Sequence, residues 1–325
     1  MKLAILDDYQ RLALQSADWG RLRARGIDIS VFHEAFASAD DAAAKLAPFE
    51  VLVLMRERTP FPRALIERLP NLKFIALTGL RAASLDSQAC SARRIPVSHT
   101  APGRTSAVTA ELAFGLILAA ARDFARAERN MRAGRWHENL RGGTILEGKR
   151  LGILGLGKLG GRVAGYAKAF GMEVVAWSQN LTPERAAQAG AALLSKEELL
   201  ATSDFVTIHL VLSERTRGLL GAADLARMKP GAILVNTSRG PIVDERAMLE
   251  ALKSGRLAHA ALDVYDREPL PADHPLRTME NVTLIPHLGY VSEDVYASFY
   301  RDCVENVEAW LAGKPVRVVN PQALA

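Results

Sequence analysis

Short runs of Val, Ile, Leu and Ala alternate along this chain with longer helix-like stretches. The runs are apolar on both faces, the pattern of strands covered above and below, and strands that alternate with helices assemble into parallel sheets. In the first part they are Lys2 to Leu6, Ile27 to Phe32, Val51 to Met55, Phe74 to Leu77 and Ile95 to Val97. One long helical pattern then covers about Ser106 to Arg132. After the connector Arg141-Gly142-Gly143-Thr144, a second series opens at Leu151-Gly152-Ile153-Leu154 and includes Met172 to Trp177, Ala232 to Val235, Leu257 to Leu262 and Val282 to Ile285. Ser292 is an N-cap for a last helix reaching about Leu311. That segment has no strand series of its own, which predicts that it packs back onto the first part. A chain of 325 residues exceeds a single core, so the expectation is an α/β protein of two domains.

Charge and cysteine usage exclude several classes. The net charge is +5, and the densest basic run, Arg122, Arg126, Arg129, Arg132 and Arg135, has Asp123 and Glu128 mixed in and few aromatics to stack bases. It reads as a solvated helix face or a subunit contact rather than a nucleic-acid surface. The longest apolar stretch, Leu112 to Ala121, is far short of a bilayer span, so no membrane partner is expected. Cys90 and Cys303 are the only cysteines and have no metal-ligand spacing around them. No metal is expected, and a reducing cytoplasm suits the pair. The opening residues place Asp7-Asp8 where a secretory signal would continue its apolar core, and so read as a first strand.

Gly155-Leu156-Gly157-Lys158-Leu159-Gly160 follows one strand directly and opens a helix. In a dinucleotide loop of this form the first glycine permits a tight turn, the second lets the backbone approach a pyrophosphate and the third allows close helix packing. The next strand ends in Ser178-Gln179-Asn180. An NAD-selective site puts a carboxylate there to bond the ribose 2′-hydroxyl. Ser178 removes that carboxylate, while the nearest basic residue beyond it, Arg185, lies inside a helix that starts at Thr182-Pro183-Glu184. The cofactor expectation is therefore NAD or NADP.

Arg239, Glu268 and His287 each lie just beyond a strand of the second series. Parallel strands gather ligand groups at their C-terminal ends, so three ionisable side chains at three such ends point to one site. The residue types suit reduction of a keto acid: a guanidinium grips a carboxylate through parallel charge-assisted bonds, and an imidazolium donates a proton near neutral pH.

Taken together, Met55-Arg56-Glu57-Arg58-Thr59, Thr109-Ala110-Glu111-Leu112, the Gly155 loop, His209, Asn236 to Gly240, Asp263 to Pro269 and Pro286 to Gly289 resemble the D-isomer-specific 2-hydroxyacid dehydrogenases over nearly the whole chain. The resemblance implies a Rossmann nucleotide-binding domain, residues 101–289, inserted into a flavodoxin-like substrate domain of residues 1–100 and 290–325, and a homodimer. It implies His287 as general acid/base, Glu268 as its partner and Arg239 as the carboxylate-binding group. The implied cofactor contacts are Gly155, Gly157, Lys158, Leu159, Gly160, Ser178, Gln179, His209, Thr109, Thr237, Asp263 and Gly289, with Asp263 on the nicotinamide carboxamide. On the substrate side the resemblance implies Arg56, Leu80 and Arg81 alongside Arg239. Arg81 departs from the family, standing where a glycine is common, and either adds a cation or points to solvent. A formate or phosphite dehydrogenase and a nucleotide-sensing corepressor share the fold; Glu268 argues against the first, whose histidine is typically paired with Gln.

Overall fold

In a computed structural model that describes residues 1–325, the chain divides into two units, Met1–Arg104 with Val291–Ala325, and Thr105–Tyr290. The divisions therefore fall after Arg104 and after Tyr290, where the sequence reading put them after residues 100 and 289.

The first unit contains β1 (Lys2–Ile5), β2 (Asp28–Val31), β3 (Val51–Leu54), β4 (Phe74–Leu77) and β5 (Val97–His99), parallel throughout and ordered β2-β1-β3-β4-β5. This is the flavodoxin-like order, which reverses direction between β1 and β3. Every residue of β3 and β4 is buried, as their unbroken apolar runs require. The fifth strand begins at Val97 rather than Ile95 because the Ile95 amide closes the preceding turn on Cys90 O at 2.9 Å. The helix Glu293–Leu311 is capped by Ser292, whose hydroxyl accepts the Val295 amide at 3.3 Å. It lies on this sheet, with Trp310 stacked on Phe74 at 5.0 Å between ring centroids.

The second unit contains β6 (Arg150–Leu154), β7 (Glu173–Trp177), β8 (Ala192–Leu193), β9 (Phe205–Ile208), β10 (Ala232–Asn236), β11 (Leu257–Leu262) and β12 (Val282–Leu284). All pairings are parallel and the order is β12-β11-β10-β9-β6-β7-β8. The winding reverses between β6 and β9, the doubly wound arrangement in which ligands bind beyond the strand ends.

The single helix expected over Ser106 to Arg132 is two helices, Thr105–Ala121 and Phe124–Arg132. Asp123 breaks it by taking a left-handed conformation, φ 57°, which Asp tolerates better than most residues. Burial holds Asp123 there: its Oδ2 lies 3.4 Å from Arg126 Nε and 3.5 Å from Arg141 Nε. The carbonyl freed at Ala121 accepts the Thr144 amide at 2.8 Å. The first helix is apolar on most sides and packs against the helix Lys158–Ala169 and strands β10 and β11. The second carries Arg126, Arg129 and Arg132 of the basic run; Arg132 pairs with Glu128 within the helix, and Arg126 with Asp123 and with the distant Glu280. No helix is long and apolar enough to cross a membrane.

Candidate active site

The glycine loop sits where the second sheet reverses. Gly155 takes φ +103°, and a Cβ there would stand 2.5 Å from His209 O, so the loop presses against the residue following β9. A Cβ on Gly160 would collide with Gly155 O, which fixes the helix start against the turn. Nothing lies within 4 Å of a Cβ on Gly157, leaving open space over the loop's second glycine. Two buried polar atoms at neighbouring strand ends, His209 Nδ1 and Thr237 Oγ1, have no protein partner. Ser238 Oγ donates to Ile208 O at 2.7 Å, tying the turn after β10 to the end of β9 and so setting Thr237 beside His209. A glycine cradle with open space and unpaired polar atoms along its rim fits a dinucleotide's phosphates and ribose hydroxyls. Lys158, exposed, and Leu159 begin the helix beyond it, while Ser178 accepts the Leu156 amide at 3.0 Å and Gln179 is exposed.

The imidazole and carboxylate meet directly. His287 Nδ1 donates to Glu268 Oε2 at 2.5 Å. A carboxylate only accepts, so Nδ1 carries the proton and Nε2 is the ring atom left for a reactant. Glu268 is itself anchored, its Oε1 accepting the Tyr265 amide at 2.9 Å. His287 takes φ +54°, an uncommon conformation for a bulky residue, and its amide donates to Asp263 O at 2.9 Å. The Asp263 carboxylate accepts the amides of Leu288 at 2.5 Å and Gly289 at 2.9 Å, so it buckles the histidine turn onto the end of β11. Gly289 is closely approached by Thr109, whose methyl would lie 3.2 Å from an added Cβ; the Thr109 hydroxyl donates to Thr105 O at 2.8 Å.

Arg239 follows β10 in a turn caged by Asn236, which accepts the Ser238 amide at 2.9 Å and donates to Arg239 O at 2.9 Å. Its guanidinium donates to Ser238 O at 2.7 Å. Gly240 packs so tightly on the next loop that a Cβ would collide with the Tyr265 backbone, placing the arginine turn against the segment that leads to Glu268. Asn236, Tyr265 and Gly240 thus hold the site without being assigned to it by the sequence. Thr207, also missed, bonds His209 Nε2 at 3.0 Å; its place two residues earlier on the same strand face was the available signal.

Arg56, Leu80 and Arg81 belong to the first unit, where they follow β3 and β4. Arg56 takes φ +53°, its amide donates to Thr78 Oγ1 at 2.9 Å, and its guanidinium occupies the space a Gly79 side chain would need. Glu57 accepts the Ala83 amide at 3.0 Å and so fastens the two loops together. Leu80 and Arg81 are exposed.

Burial shifts several groups in the second unit. It pushes His209 down to about 3, and, aided by the Arg141 charge, His259 down to about 4. It pushes Asp263 up to about 6 against the opposing bonds from Leu288 and Gly289. A buried neutral imidazole stabilises the fold above the unfolded value of 6.5, and that stability is lost as pH falls towards the folded value. Asp263 acts oppositely, its contribution declining as pH rises from 3.8 to about 6. His259, whose Nε2 bonds Thr283 Oγ1 at 2.9 Å, is the cleaner probe. His259→Gln is expected to flatten the stability curve between pH 6.5 and about 4, removing a slope of about 1.4 kcal/mol per pH unit for one proton. Urea unfolding across that range measures it, and an unchanged slope would show that His259 titrates normally.

A doubly wound sheet with a phosphate loop at its reversal and an imidazole–carboxylate pair on neighbouring strand ends defines a dinucleotide-binding oxidoreductase. Known proteins narrow the class. Residues 114–289 match the family model for the D-isomer specific 2-hydroxyacid dehydrogenase NAD binding domain. The chain is 39% identical over 268 residues to a glyoxylate reductase of Aeropyrum pernix, covering 80% of each. It is 36% identical over 296 residues to the D-3-phosphoglycerate dehydrogenase of Archaeoglobus fulgidus, covering 91% of this chain and 55% of that one. The chain thus spans about half the length of the curated phosphoglycerate dehydrogenases it matches. The crystal structure of phosphoglycerate oxidoreductase from Vibrio cholerae o395 superposes with a TM-score of 0.89 at 36% identity, over 96% of this chain and 99% of that one. The chain belongs to the D-isomer specific 2-hydroxyacid dehydrogenase family, whose nucleotide is NAD or NADP.

Proposed function

We propose that this chain interconverts a D-2-hydroxy acid and its 2-keto acid, with His287 as acid/base, Glu268 as its partner and Arg239 as the carboxylate anchor. The observation that supports this reading is the 2.5 Å bond from His287 Nδ1 to Glu268 Oε2, which leaves Nε2 as the ring atom to face a reactant. Arg239 grips the substrate carboxylate through its guanidinium fork and so presents the adjacent carbonyl. His287 Nε2 delivers a proton to the carbonyl oxygen during reduction and removes it during oxidation. Glu268, held by the Tyr265 amide, keeps the ring oriented through its bond to Nδ1. A bound nicotinamide dinucleotide supplies the hydride. It would be held by the loop Gly155–Gly160, with Ser178, Gln179, His209 and Thr237 along the crevice and Thr109, Asp263 and Gly289 towards the histidine turn.

Arg56, Leu80 and Arg81 are assigned to the substrate side, which favours a small acid with a further anionic or polar substituent. The assembly is read as a homodimer and the compartment as the cytoplasm, in keeping with two buried free cysteines. The test is absorbance at the nicotinamide band with glyoxylate, hydroxypyruvate, pyruvate and larger 2-keto acids, each with both reduced dinucleotides. Turnover with at least one acid is expected. Tight dinucleotide binding with no turnover across the panel would replace the enzyme reading with the sensor reading.

A further inference from the structure

At the C-terminal end of β7 the chain runs Ser178-Gln179-Asn180 and turns into the short helix Pro183–Gln188. This turn adjoins the phosphate loop: the Gly155 amide donates to Trp177 O at 2.8 Å and the Leu156 amide donates to Ser178 Oγ at 3.0 Å. In a doubly wound dinucleotide site the group at this strand end meets the adenosine ribose, and a carboxylate there accepts a 2′-hydroxyl and repels a 2′-phosphate. Here there is none. The Ser178 oxygen already accepts an amide, which leaves the hydroxyl proton to be donated, and a donor suits a phosphate oxygen.

The cation missing from the strand end in the sequence is supplied by folding. Arg185 lies within the following helix, yet its guanidinium turns back over the loop, with NH1 3.5 Å from Asn180 O. Its side chain is exposed and so open to a ligand. Glu184 is the one carboxylate in the turn, and it is drawn onto its own amide and the Thr182 hydroxyl, bonds that hold it below the usual range. Gln179 and Asn180 are exposed amides beside it.

We propose that the end of β7 is a phosphate-monoester subsite, made by the Ser178 hydroxyl and the Arg185 guanidinium, and that this chain takes NADP(H) in preference to NAD(H). The proposal rests on the dinucleotide-binding reading above. Isothermal titration of the whole chain with NADPH and with NADH, at one fixed salt concentration, tests it without relying on turnover. NADPH is expected to bind roughly tenfold more tightly or better, as one charge-assisted contact allows. Arg185→Ala should weaken NADPH by about tenfold and leave NADH nearly unchanged. Ser178→Asp keeps an acceptor for the Leu156 amide but introduces a negative charge, and should reverse the preference. Equal or tighter binding of NADH overturns the proposal alone, as does an Arg185→Ala loss shared by both ligands. Failure of both dinucleotides to bind overturns it together with the reading on which it rests.

Discussion

His287→Asn is expected to lower turnover with a 2-keto acid by roughly 10²–10⁴, the range for removing a positioned general acid. Asparagine is the appropriate replacement for a structural reason. His287 stands at φ +54°, and asparagine is among the residues that tolerate the left-handed region, so the turn held by Asp263 should survive. The amide side chain cannot deliver a proton near neutral pH. Dinucleotide affinity should stay near that of the parent chain, because the glycine loop, His209 and Thr237 are untouched. Steady-state rates paired with a binding titration separate the two effects. Turnover within a few-fold of the parent would remove His287 from the chemistry.

Arg239→Lys should lower kcat/KM for 2-keto acids by about 10–150-fold, the equivalent of one lost charge-assisted bond of about 1.5–3 kcal/mol. Lysine keeps the positive charge, so the expected loss isolates geometry. The guanidinium is oriented by its own bond to the Ser238 carbonyl at 2.7 Å, in the turn after β10, and a lysine ammonium has no planar fork to hold in that register. The Asn236 cage and the tight Gly240 contact remain, so the loop should keep its path. An efficiency equal to that of the parent would count against carboxylate binding at this position.

Much of this arrangement is readable in the sequence because its signals are local. Strands buried on both faces announce themselves as unbroken apolar runs, and the rule for parallel sheets places the residues just beyond each run at a ligand-binding edge. Arg239, Glu268 and His287 are nominated in that way, and the glycine loop by its spacing between strand and helix; the structure joins His287 to Glu268. The break at Asp123 is not legible, because it depends on Arg141 returning from a distant connector to pair with that carboxylate. Nor is the scaffolding: Asn236, Tyr265 and Gly240 act through backbone bonds and contacts that no spacing reveals. Ser178 illustrates a third limit. Its identity announces a missing carboxylate, but its bond to the Leu156 amide and the return of Arg185 over the turn depend on the folded loop.

The insertion of residues 105–290 into the first unit has a consequence for the order of assembly. The inserted unit is continuous, so every strand of its sheet has been synthesised before Val291 is added. The first sheet must wait: Val97 needs the Asn320 side chain for its amide, at 2.8 Å, and Phe74 needs Trp310 as its cover. Domains fold as units during synthesis. The nucleotide-binding unit is therefore complete in sequence before the first unit is, and Phe74 of β4 has no cover until the helix Glu293–Leu311 has been made.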